Sequence, residues 1–323
     1  MPQISIITTT YNHQDFIWDT IQSILNQTIS DRELLIGDDS PGEETRKVIE
    51  WYIKKYPDKI KARHHSPNKG IVDNMNFLID KIVKESEYIA FLEWDDMREK
   101  NYLKKKLEIF TKYPEVIVVY NNLDFIDKEN TVIQKDIFTF RRIKTYQNKK
   151  IAPNDYVLAD VWPIISWSTS MIKKDICKSY KIRSLSPEDK SYGIADYDFF
   201  FQIATKYPVY YINQWLTLYR RHQTNLSWSN PKVMEEISKL IKNYYKQNLI
   251  TKTTYNKKMS HNNLIQSIIY LGNWNKKKSI SHWKDALRHN RSNNIIMKLW
   301  ILWLLCLPKK ISKKILAKII KRG

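Results

Sequence analysis

The chain of 323 residues has only six glycines, and their positions exclude several common enzyme classes. They stand at positions 37, 42, 70, 193, 272 and 323. The sequence therefore contains neither the GxGxxG loop of dinucleotide-binding enzymes nor the GxxxxGKS or GxxxxGKT loop of P-loop ATPases. It also lacks the GxSxG nucleophile elbow and the HExxH helix of zinc proteases. Any nucleotide must be held here without a glycine-rich phosphate cradle.

Cysteine is rarer still. Cys177 and Cys306 lie far apart and outside any CxxC or Cys/His cluster, which argues against a disulfide framework and against a zinc site. A reducing compartment fits this composition. The opening MPQISIITTTYN has no basic n-region or cleavage site and has the pattern of a strand. We therefore expect a cytoplasmic protein.

Positive charge is in excess, with 54 Lys plus Arg against 34 Asp plus Glu and a formal net charge of +20. Such an excess favours an anionic neighbour, or it reflects a lysine-rich, solvated surface. One alternative function is therefore a noncatalytic basic protein that binds a membrane or nucleic acid. That function would not explain the acidic clusters described next, which argue against it as the main role. We therefore expect no nucleic-acid partner.

The first 120 residues alternate short apolar runs with amphipathic helical patterns. The runs are ISIITTT, ELLIGDD, KIKARHH and YIAFLEWDD. Strands that are apolar on both faces and separated by amphipathic helices are typical of a parallel sheet covered on two sides. The pattern predicts a doubly wound α/β unit.

Acidic residues follow two of these predicted strands. Asp38 and Asp39 end one strand, and Asp95 and Asp96 end another. In doubly wound sheets ligands bind outside the carboxyl ends of the strands, and paired carboxylates there suit Mg²⁺ or Mn²⁺ bound to a diphosphate. For any single Asp, capping of the next helix is an equally good explanation.

A third acidic cluster lies in GIADYDFFFQIA, where Asp196 and Asp198 open a helical pattern. In a transfer reaction a carboxylate is the expected base for an incoming hydroxyl. A spacing of two places the pair on different faces of a helix, so at most one points into a site. A helix cap plus a surface acid explains the pair equally well.

The last segment resembles a membrane anchor. MKLWILWLLCL is too short for the roughly 20 residues of a spanning helix. In PKKISKKILAKIIKRG, isoleucine and leucine share one helical face and lysine or arginine fill the other. Residues 295–323 are therefore expected to lie on an anionic membrane surface, on the inner face of the cell membrane. The alternative is that this stripe packs on the protein's own helices.

Taken in order, the motifs resemble those of family 2 glycosyltransferases. They are SIITTTYNHQDFIWDTIQSILNQT, ELLIGDDSPGEET, NKGIVDNMN, YIAFLEWDD, IADYDFFFQIA and LTLYRRHQTNLS, and they cover roughly residues 2–227. The resemblance implies a GT-A fold, which is a Rossmann-like, doubly wound, mostly parallel sheet. It also implies transfer of a sugar from a nucleotide-sugar, usually a UDP-sugar, with inversion and with Mn²⁺ or Mg²⁺ on the diphosphate.

The resemblance assigns roles by position. The expected base is Asp196. The family's motif commonly has a glutamate before this aspartate, whereas here Ala195 precedes Asp196, and this departure leaves Asp198 as a lesser candidate. The expected metal ligand is Asp96, with Asp95 near the ribose or donor sugar and His222 as a possible further ligand. The donor nucleotide is expected to contact Thr9, Tyr11, Asp38, Asp39, Asn68, Gly70, Asn76, Asp95 and Arg221.

The resemblance also implies a division of the chain. Residues 1–228 are expected to form the catalytic domain, with a nucleotide-binding half over 1–120 and an acceptor-binding half over 121–228. Residues 229–323 are expected to form a helical region. Trp162, Trp167 and Ser168 are the candidate acceptor contacts, since their side chains suit sugar stacking and hydrogen bonding. The expected acceptor is a glycan or a lipid-linked saccharide.

A sugar nucleotidylyltransferase is a further alternative, because that class shares the α/β layout and the use of a metal. It requires a glycine-rich loop near the N-terminus, and the corresponding segment ITTTYNHQD contains no glycine.

Overall fold

The computed structural model describes residues 3–135, 148–153, 166–183, 194–222 and 231–290, together with Ile301, Leu304 and Leu307. The described residues form two compact units. One unit contains the residues up to 222 and the other contains those from 231 onward. Trp162 and Pro308–Gly323 lie outside the described residues.

The first unit is built on a mixed, mainly parallel sheet. Among the described residues ten strands belong to it, in the order β3-β2-β1-β4-β9-β6-β10-β5, with β7 beside β6 and β8 beside β10. They are β1 Ile4–Thr10, β2 Arg32–Asp38, β3 Ile60–His64, β4 Tyr88–Phe91, β5 Met97–Arg98, β6 Val118–Ile126, β7 Val132–Lys135, β8 Lys149–Ile151, β9 Ser170–Lys173 and β10 Val209–Arg220.

Strand direction explains why the acidic clusters meet. β1, β2, β3 and β4 pair in parallel, and β6 pairs in parallel with β10. β9 lies between β4 and β6 and is antiparallel to both, so these six parallel strands all end at the same edge. Their last residues are Thr10, Asp38, His64, Phe91, Ile126 and Arg220. We call this edge, with the loops that follow it, the carboxyl edge.

Helices with a buried apolar stripe cover the sheet. In the first unit they are α1 Gln14–Leu25, α2 Glu44–Lys55, α3 Ile71–Lys81, α4 Tyr102–Lys112, α5 Lys174–Ser179 and α6 Ala195–Ala204. In α1 the residues Ile17, Ile21 and Ile24 are buried, because a spacing of three or four residues brings them to one face. They pack on Ile4 and Ile6 of β1 in the main core. The predicted doubly wound, mostly parallel fold is confirmed.

The second unit is helical. It contains α7 Pro231–Lys246, α8 Lys252–Gly272 and α9 Lys276–His289. Ile301 and Leu304 are fully buried in a cluster with Leu264, Leu271 and Ala286. These two residues of the apolar run MKLWILWLLCL therefore pack on the protein itself. Among the described residues, the helices are all too short or too polar to cross a bilayer.

Candidate functional site

Asp95 and His222 meet at the carboxyl edge. Asp95 lies in the loop between β4 and β5, and His222 lies two residues after the end of β10. The Oδ2 atom of Asp95 is 2.7 Å from Nε2 of His222, and both side chains are largely buried. Residues 127 positions apart in the sequence therefore form one polar pair. A carboxylate and an imidazole are both ligands for divalent metals.

Asp96 lies behind this pair. It is fully buried, and its Oδ1 atom accepts a hydrogen bond from the backbone N–H of Arg220 at 3.0 Å. Its Oδ2 atom is buried and has no hydrogen-bond partner. Burial, and then the charge of Asp95, hold the pKa of Asp96 well above its usual range. An unsatisfied carboxylate oxygen of this kind is stabilised by a nearby cation.

An aromatic wall borders the Asp95–His222 pair. The rings of His13 and Trp94 stack with centroids 3.0 Å apart, and Phe16 lies 5.3 Å from His222. The Nδ1 atom of His13 accepts a hydrogen bond from the backbone N–H of Tyr11 at 3.1 Å. Burial, and then His222, lower the pKa of His13 to about 3. His13 is therefore neutral at physiological pH and acts as a flat wall rather than as a cation.

Two aspartates at the end of β2 are fixed in different ways. Asp38 is fully buried, and its carboxylate lies 2.8 Å from Nδ1 of His64 and accepts the backbone N–H of Ser40 at 3.0 Å. Asp39 accepts the backbone N–H of Lys69 at 3.1 Å through Oδ1. Asp38 thus has a structural role in this loop, whereas Asp39 ties β2 to the segment before α3.

Four of the predicted nucleotide contacts flank the partners of Asp39, since its backbone N–H donates to the carbonyl oxygen of Thr10 and its Oδ1 accepts the N–H of Lys69. Asn68 accepts the backbone N–H of Gly70 at 2.6 Å, and Gly70 has a φ of 77°, which favours glycine. Tyr11 is 44% exposed, so its ring is open to stack on a planar base. Thr9 has a buried hydroxyl oxygen without a hydrogen-bond partner.

Asn76 is placed differently from the sequence prediction. Its Nδ2 atom donates to the carbonyl oxygen of Ile182 at 2.8 Å, and its Oδ1 atom accepts the backbone N–H of Ile182 at 3.2 Å. The amide is thereby used within the protein, where it fixes the segment before α6. The structure gives Asn76 a scaffolding contact rather than an open donor contact.

The two candidate bases have different surroundings. Asp198 is 1% exposed, and its carboxylate accepts two hydrogen bonds from Arg183, at 3.0 and 2.8 Å, and one from Gln202 at 3.1 Å. Asp196 is partly exposed and accepts the backbone N–H of Tyr197 at 2.7 Å. Burial raises the pKa of Asp196 to about 7. Asp198 is thus held by two neighbouring side chains, whereas Asp196 is held by one backbone N–H.

Glu93 and Tyr219 complete the acidic cluster, and neither was predicted as a site residue. Burial, and then Asp95, Asp96 and Asp196, hold the pKa of Glu93 well above its usual range. Burial, and then the charges of Asp96, Asp95, Glu93 and Asp196, raise the pKa of Tyr219. The charge of Asp196 thus acts on residues of both the Glu93–Asp96 loop and the end of β10. The EWDD motif marked the position of Glu93, but only the fold shows that the charge of Asp196 affects it.

The described candidate acceptor residues are packed inside the protein. Trp167 is 5% exposed and contacts Phe91, Phe199 and Phe200, with ring centroids 4.8 to 5.5 Å apart. Ser168 is 1% exposed and accepts the backbone N–H of Glu93 at 3.1 Å. Both residues support the acidic loop from behind. Their predicted direct contact with an acceptor requires an exposed surface that these side chains do not offer.

Arg221 and the residue before it lie on opposite faces of the chain leaving β10. The guanidinium of Arg221 lies 3.7 Å from the ring centroid of Phe125, and its backbone N–H donates to Ile126. Arg220 is fully buried and contacts the acidic loop. The YRRH motif indicated that arginines matter here, but strand alternation decides which one points inward.

A divalent cation suits these residues only if other molecules supply part of its coordination. Within the described parts of the chain, no group of three or more His, Cys, Asp or Glu side chains is arranged to hold a metal ion. Asp95 and His222 offer two ligands, and Asp96 adds a buried carboxyl oxygen without a hydrogen-bond partner. This set matches a hard cation whose remaining ligands are diphosphate oxygens and water.

Residues 5–181 match the family model described as Glycosyl transferase family 2. The chain belongs to this family. This match confirms the resemblance to family 2 glycosyltransferases that the ordered motifs indicated.

Similar curated proteins act on several glycans, by their names. The putative teichuronic acid biosynthesis glycosyltransferase TuaG of Bacillus subtilis is 34% identical over 107 residues, which are 33% of this chain and 41% of TuaG. Chondroitin synthase of Escherichia coli is 31% identical over 134 residues, 41% of this chain and 19% of that protein. The GalNAc(5)-diNAcBac-PP-undecaprenol beta-1,3-glucosyltransferase of Campylobacter jejuni is 32% identical over 97 residues, 30% of each chain. The aligned part spans less than half of each of these relatives.

Solved structures show the same fold. S. aureus TarS 1-349 has a TM-score of 0.55 at 13% identity and covers 91% of this chain and 92% of its own. The mannosyltransferase PcManGT from Pyrobaculum calidifontis, solved with GDP-Man and Mn²⁺, has a TM-score of 0.57 at 14% identity, covering 99% of this chain and 85% of its own. At these identities the likeness concerns the fold, and it confirms the GT-A architecture.

Proposed function

We propose that this chain is an inverting glycosyltransferase that moves a sugar from a nucleotide-sugar, a UDP-sugar in the first instance, to a glycan or lipid-linked acceptor. The observation that carries the proposal is the position of Asp196. It is the partly exposed acid, with a pKa raised to about 7, that shares its surroundings with Glu93 and the Asp95–Asp96 loop. In this proposal Asp196 and the acids that suit a cation-bound diphosphate belong to one site.

Asp196 acts as the base in this proposal. Its carboxylate takes the proton of the acceptor hydroxyl while the hydroxyl oxygen forms a bond to the anomeric carbon. The bond between that carbon and the diphosphate oxygen breaks, and its electron pair leaves with the nucleoside diphosphate. Asp198 cannot easily replace it, since Arg183 and Gln202 already occupy its carboxylate.

Asp95 and His222 are proposed as the protein ligands of Mn²⁺ or Mg²⁺. This differs in emphasis from the sequence prediction, in which Asp96 was the main ligand. Asp95 contacts His222, whereas Asp96 is buried behind it and bonded to the backbone of β10. A bound divalent cation would neutralise charge that grows on the departing diphosphate. Asp96 would strengthen that site through its charge.

The nucleoside is proposed to lie over the ends of β1 and β2. Tyr11 offers an exposed ring for stacking, and Asp39 and Thr9 offer oxygen atoms for the polar edge of the base. Lys69 supplies a backbone contact that holds Asp39 in place. The protein needs no glycine-rich loop in this arrangement, because a cation rather than backbone N–H groups meets the diphosphate.

The acceptor and the cellular setting are proposed from the relatives. TuaG is named for teichuronic acid biosynthesis and the Campylobacter enzyme for an undecaprenol-linked substrate, so we propose a role in cell-surface polysaccharide synthesis at the cytoplasmic face of the membrane. Residues 1–228 would catalyse transfer. Because Ile301 and Leu304 are buried in the protein, the proposed lipid-binding part of the predicted segment 295–323 is its basic end, residues 308–323.

The stereochemical outcome tests the reaction type. We expect the purified protein, given Mn²⁺ and an α-linked UDP-sugar, to release UDP and to form a β-linked product in which the anomeric centre is inverted. Proton NMR of the product gives the anomeric configuration directly. A product that retains the donor's configuration would rule out direct attack assisted by Asp196, and release of a nucleotide monophosphate would point to a different class of transfer.

The pH dependence follows from Asp196. The carboxylate must be ionised to accept a proton, and its raised pKa of about 7 means that the active form is lost as the pH falls through 7. We expect kcat/KM to rise about tenfold per pH unit below about pH 7 and to level off above it. Initial rates from about pH 5 to about pH 9, compared with UDP affinity at each pH, separate catalysis from binding. A flat profile through pH 7 would contradict this assignment.

A further inference from the structure

Arg220 is the largest fully buried side chain of the described residues. It is the last residue of β10, two positions before His222. A guanidinium is costly to bury unless its donors are paired. Its position inside the protein therefore requires a set of acceptors arranged to match it.

Three segments supply those acceptors. The Nε atom donates to the carbonyl oxygen of Asp95 at 2.8 Å, and Nη1 donates to the carbonyl oxygen of Asp127, after β6, at 2.8 Å. Nη2 lies 3.3 Å from Oδ2 of Asp19 on α1. One side chain thus joins a helix, the acidic loop and the end of a neighbouring strand.

The backbone of Arg220 holds the other acid. Its N–H donates to Oδ1 of Asp96 at 3.0 Å, so the residue contacts both members of the Asp95–Asp96 pair. The hydroxyl of Thr20 lies 2.7 Å from the carbonyl oxygen of Trp94 and 2.9 Å from that of Asp96. The carbonyl oxygens of three consecutive loop residues are therefore fixed by α1 and β10 together.

Arg220 also supports the wall beside His222. Its guanidinium lies 4.7 Å from the ring centroid of Phe16, and Phe16 lies 5.3 Å from the ring of His222. The backbone of β10 continues directly into His222. A movement of this guanidinium would therefore shift both members of the Asp95–His222 pair.

We propose that Arg220 is the positioning residue of the cation and diphosphate site, which sets the spacing of Asp95 and His222 without touching the ligand. This inference rests on the proposed function. Because Arg presents donors in a planar fork and Lys presents a single ammonium, the geometry requires arginine and not merely a positive charge. Arg220→Lys keeps the charge and loses the contacts that a single nitrogen cannot reach.

Calorimetric titration of UDP, with and without Mn²⁺, tests the proposal on Arg220→Lys, with Arg288→Lys as the matched control. Arg288 forms an exposed pair with Asp285 in the second unit. In Arg220→Lys we expect the affinity for UDP alone to stay within about twofold, and the gain in affinity caused by Mn²⁺ to fall by about 10-fold. The control should behave as wild type. Thermal melts of each variant report folding.

Asp19→Asn provides a second variant, since it removes the negative charge from one of the three acceptors of Arg220, on a partly exposed side chain. We expect its Mn²⁺-dependent gain to fall by about threefold. A folded Arg220→Lys with an undiminished gain overturns the proposal, as does a parallel loss of UDP affinity with and without Mn²⁺, which shows a purely structural role. If Arg220→Lys does not fold, an undiminished gain in Asp19→Asn overturns it. If Mn²⁺ does not raise the UDP affinity of the wild-type protein, the proposed function itself is overturned.

Discussion

Asp196→Asn is expected to lower kcat by about 10³-fold while leaving the affinity for the donor nucleotide within about twofold, since a general base contributes 10²-fold to 10⁴-fold. The substitution keeps the size of the side chain and its acceptor for the backbone N–H of Tyr197. It replaces the basic carboxylate, which accepts the proton, with an amide that is too weak a base to do so. Burial raises the pKa of this carboxyl group to about 7, which means that its surroundings favour the neutral form. A neutral amide should therefore not disturb the fold. Single-turnover rates and UDP calorimetry measure the two quantities separately.

Asp198→Asn is the matched comparison for this variant. It changes the same chemical group two residues away, where Arg183 donates two hydrogen bonds to the carboxylate. We expect a lower melting temperature, because a buried acceptor of a charged donor is weakened, and a kcat much closer to that of wild type. If Asp198→Asn abolished turnover in folded protein while Asp196→Asn did not, the base would be Asp198.

Asp95→Asn is expected to lower kcat/KM for the donor by about 100-fold or more, because loss of even an indirect support for a metal ligand costs 10-fold to 100-fold. Asp95 is the acid that contacts His222, and an amide is a weaker ligand for a hard cation than a carboxylate. Higher Mn²⁺ concentrations should restore part of the activity. Steady-state kinetics over a range of Mn²⁺ concentrations measure this shift.

Asp15→Asn is the control for the change of charge. Asp15 is exposed in the first turn of α1, and its substitution alters the net charge by the same amount. It should leave the dependence on Mn²⁺ unchanged. An Asp95→Asn variant with the Mn²⁺ dependence of wild type would contradict the role of Asp95, and the same result with Asp96→Asn impaired would return that role to Asp96.

The fold was predictable from the sequence because recognisable helical patterns separate the strands along the chain. Runs such as ISIITTT and ELLIGDD are bounded by helices with a single apolar stripe, and this alternation leaves little choice but a parallel sheet. The acids at the carboxyl edge were predictable for the same reason. Asp39, Asp95 and Asp96 follow strands that point the same way, so the topology alone brings them to one edge.

The internal contacts of the site were not predictable from the sequence. The choice between Arg220 and Arg221 depends on which face of β10 meets the core, and that is decided by pairing with β6 and β5. The role of Asn76 depends on Ile182, which lies 106 residues away. The effect of Asp196 on the pKa of Glu93 joins residues 103 positions apart, from the two halves of the unit that β9 links beside β4. Each case involves a contact between distant segments, for which local patterns carry no signal.

Calorimetric binding of UDP to the wild-type protein, with and without Mn²⁺, tests the central claim most directly. The claim is that the carboxyl edge holds a nucleoside diphosphate through a cation placed against Asp95 and His222. It predicts that Mn²⁺ tightens UDP binding by at least about tenfold, since the cation would bind both the diphosphate oxygens and Asp95. UDP affinity that is the same with and without Mn²⁺, in protein shown to be folded, would contradict it.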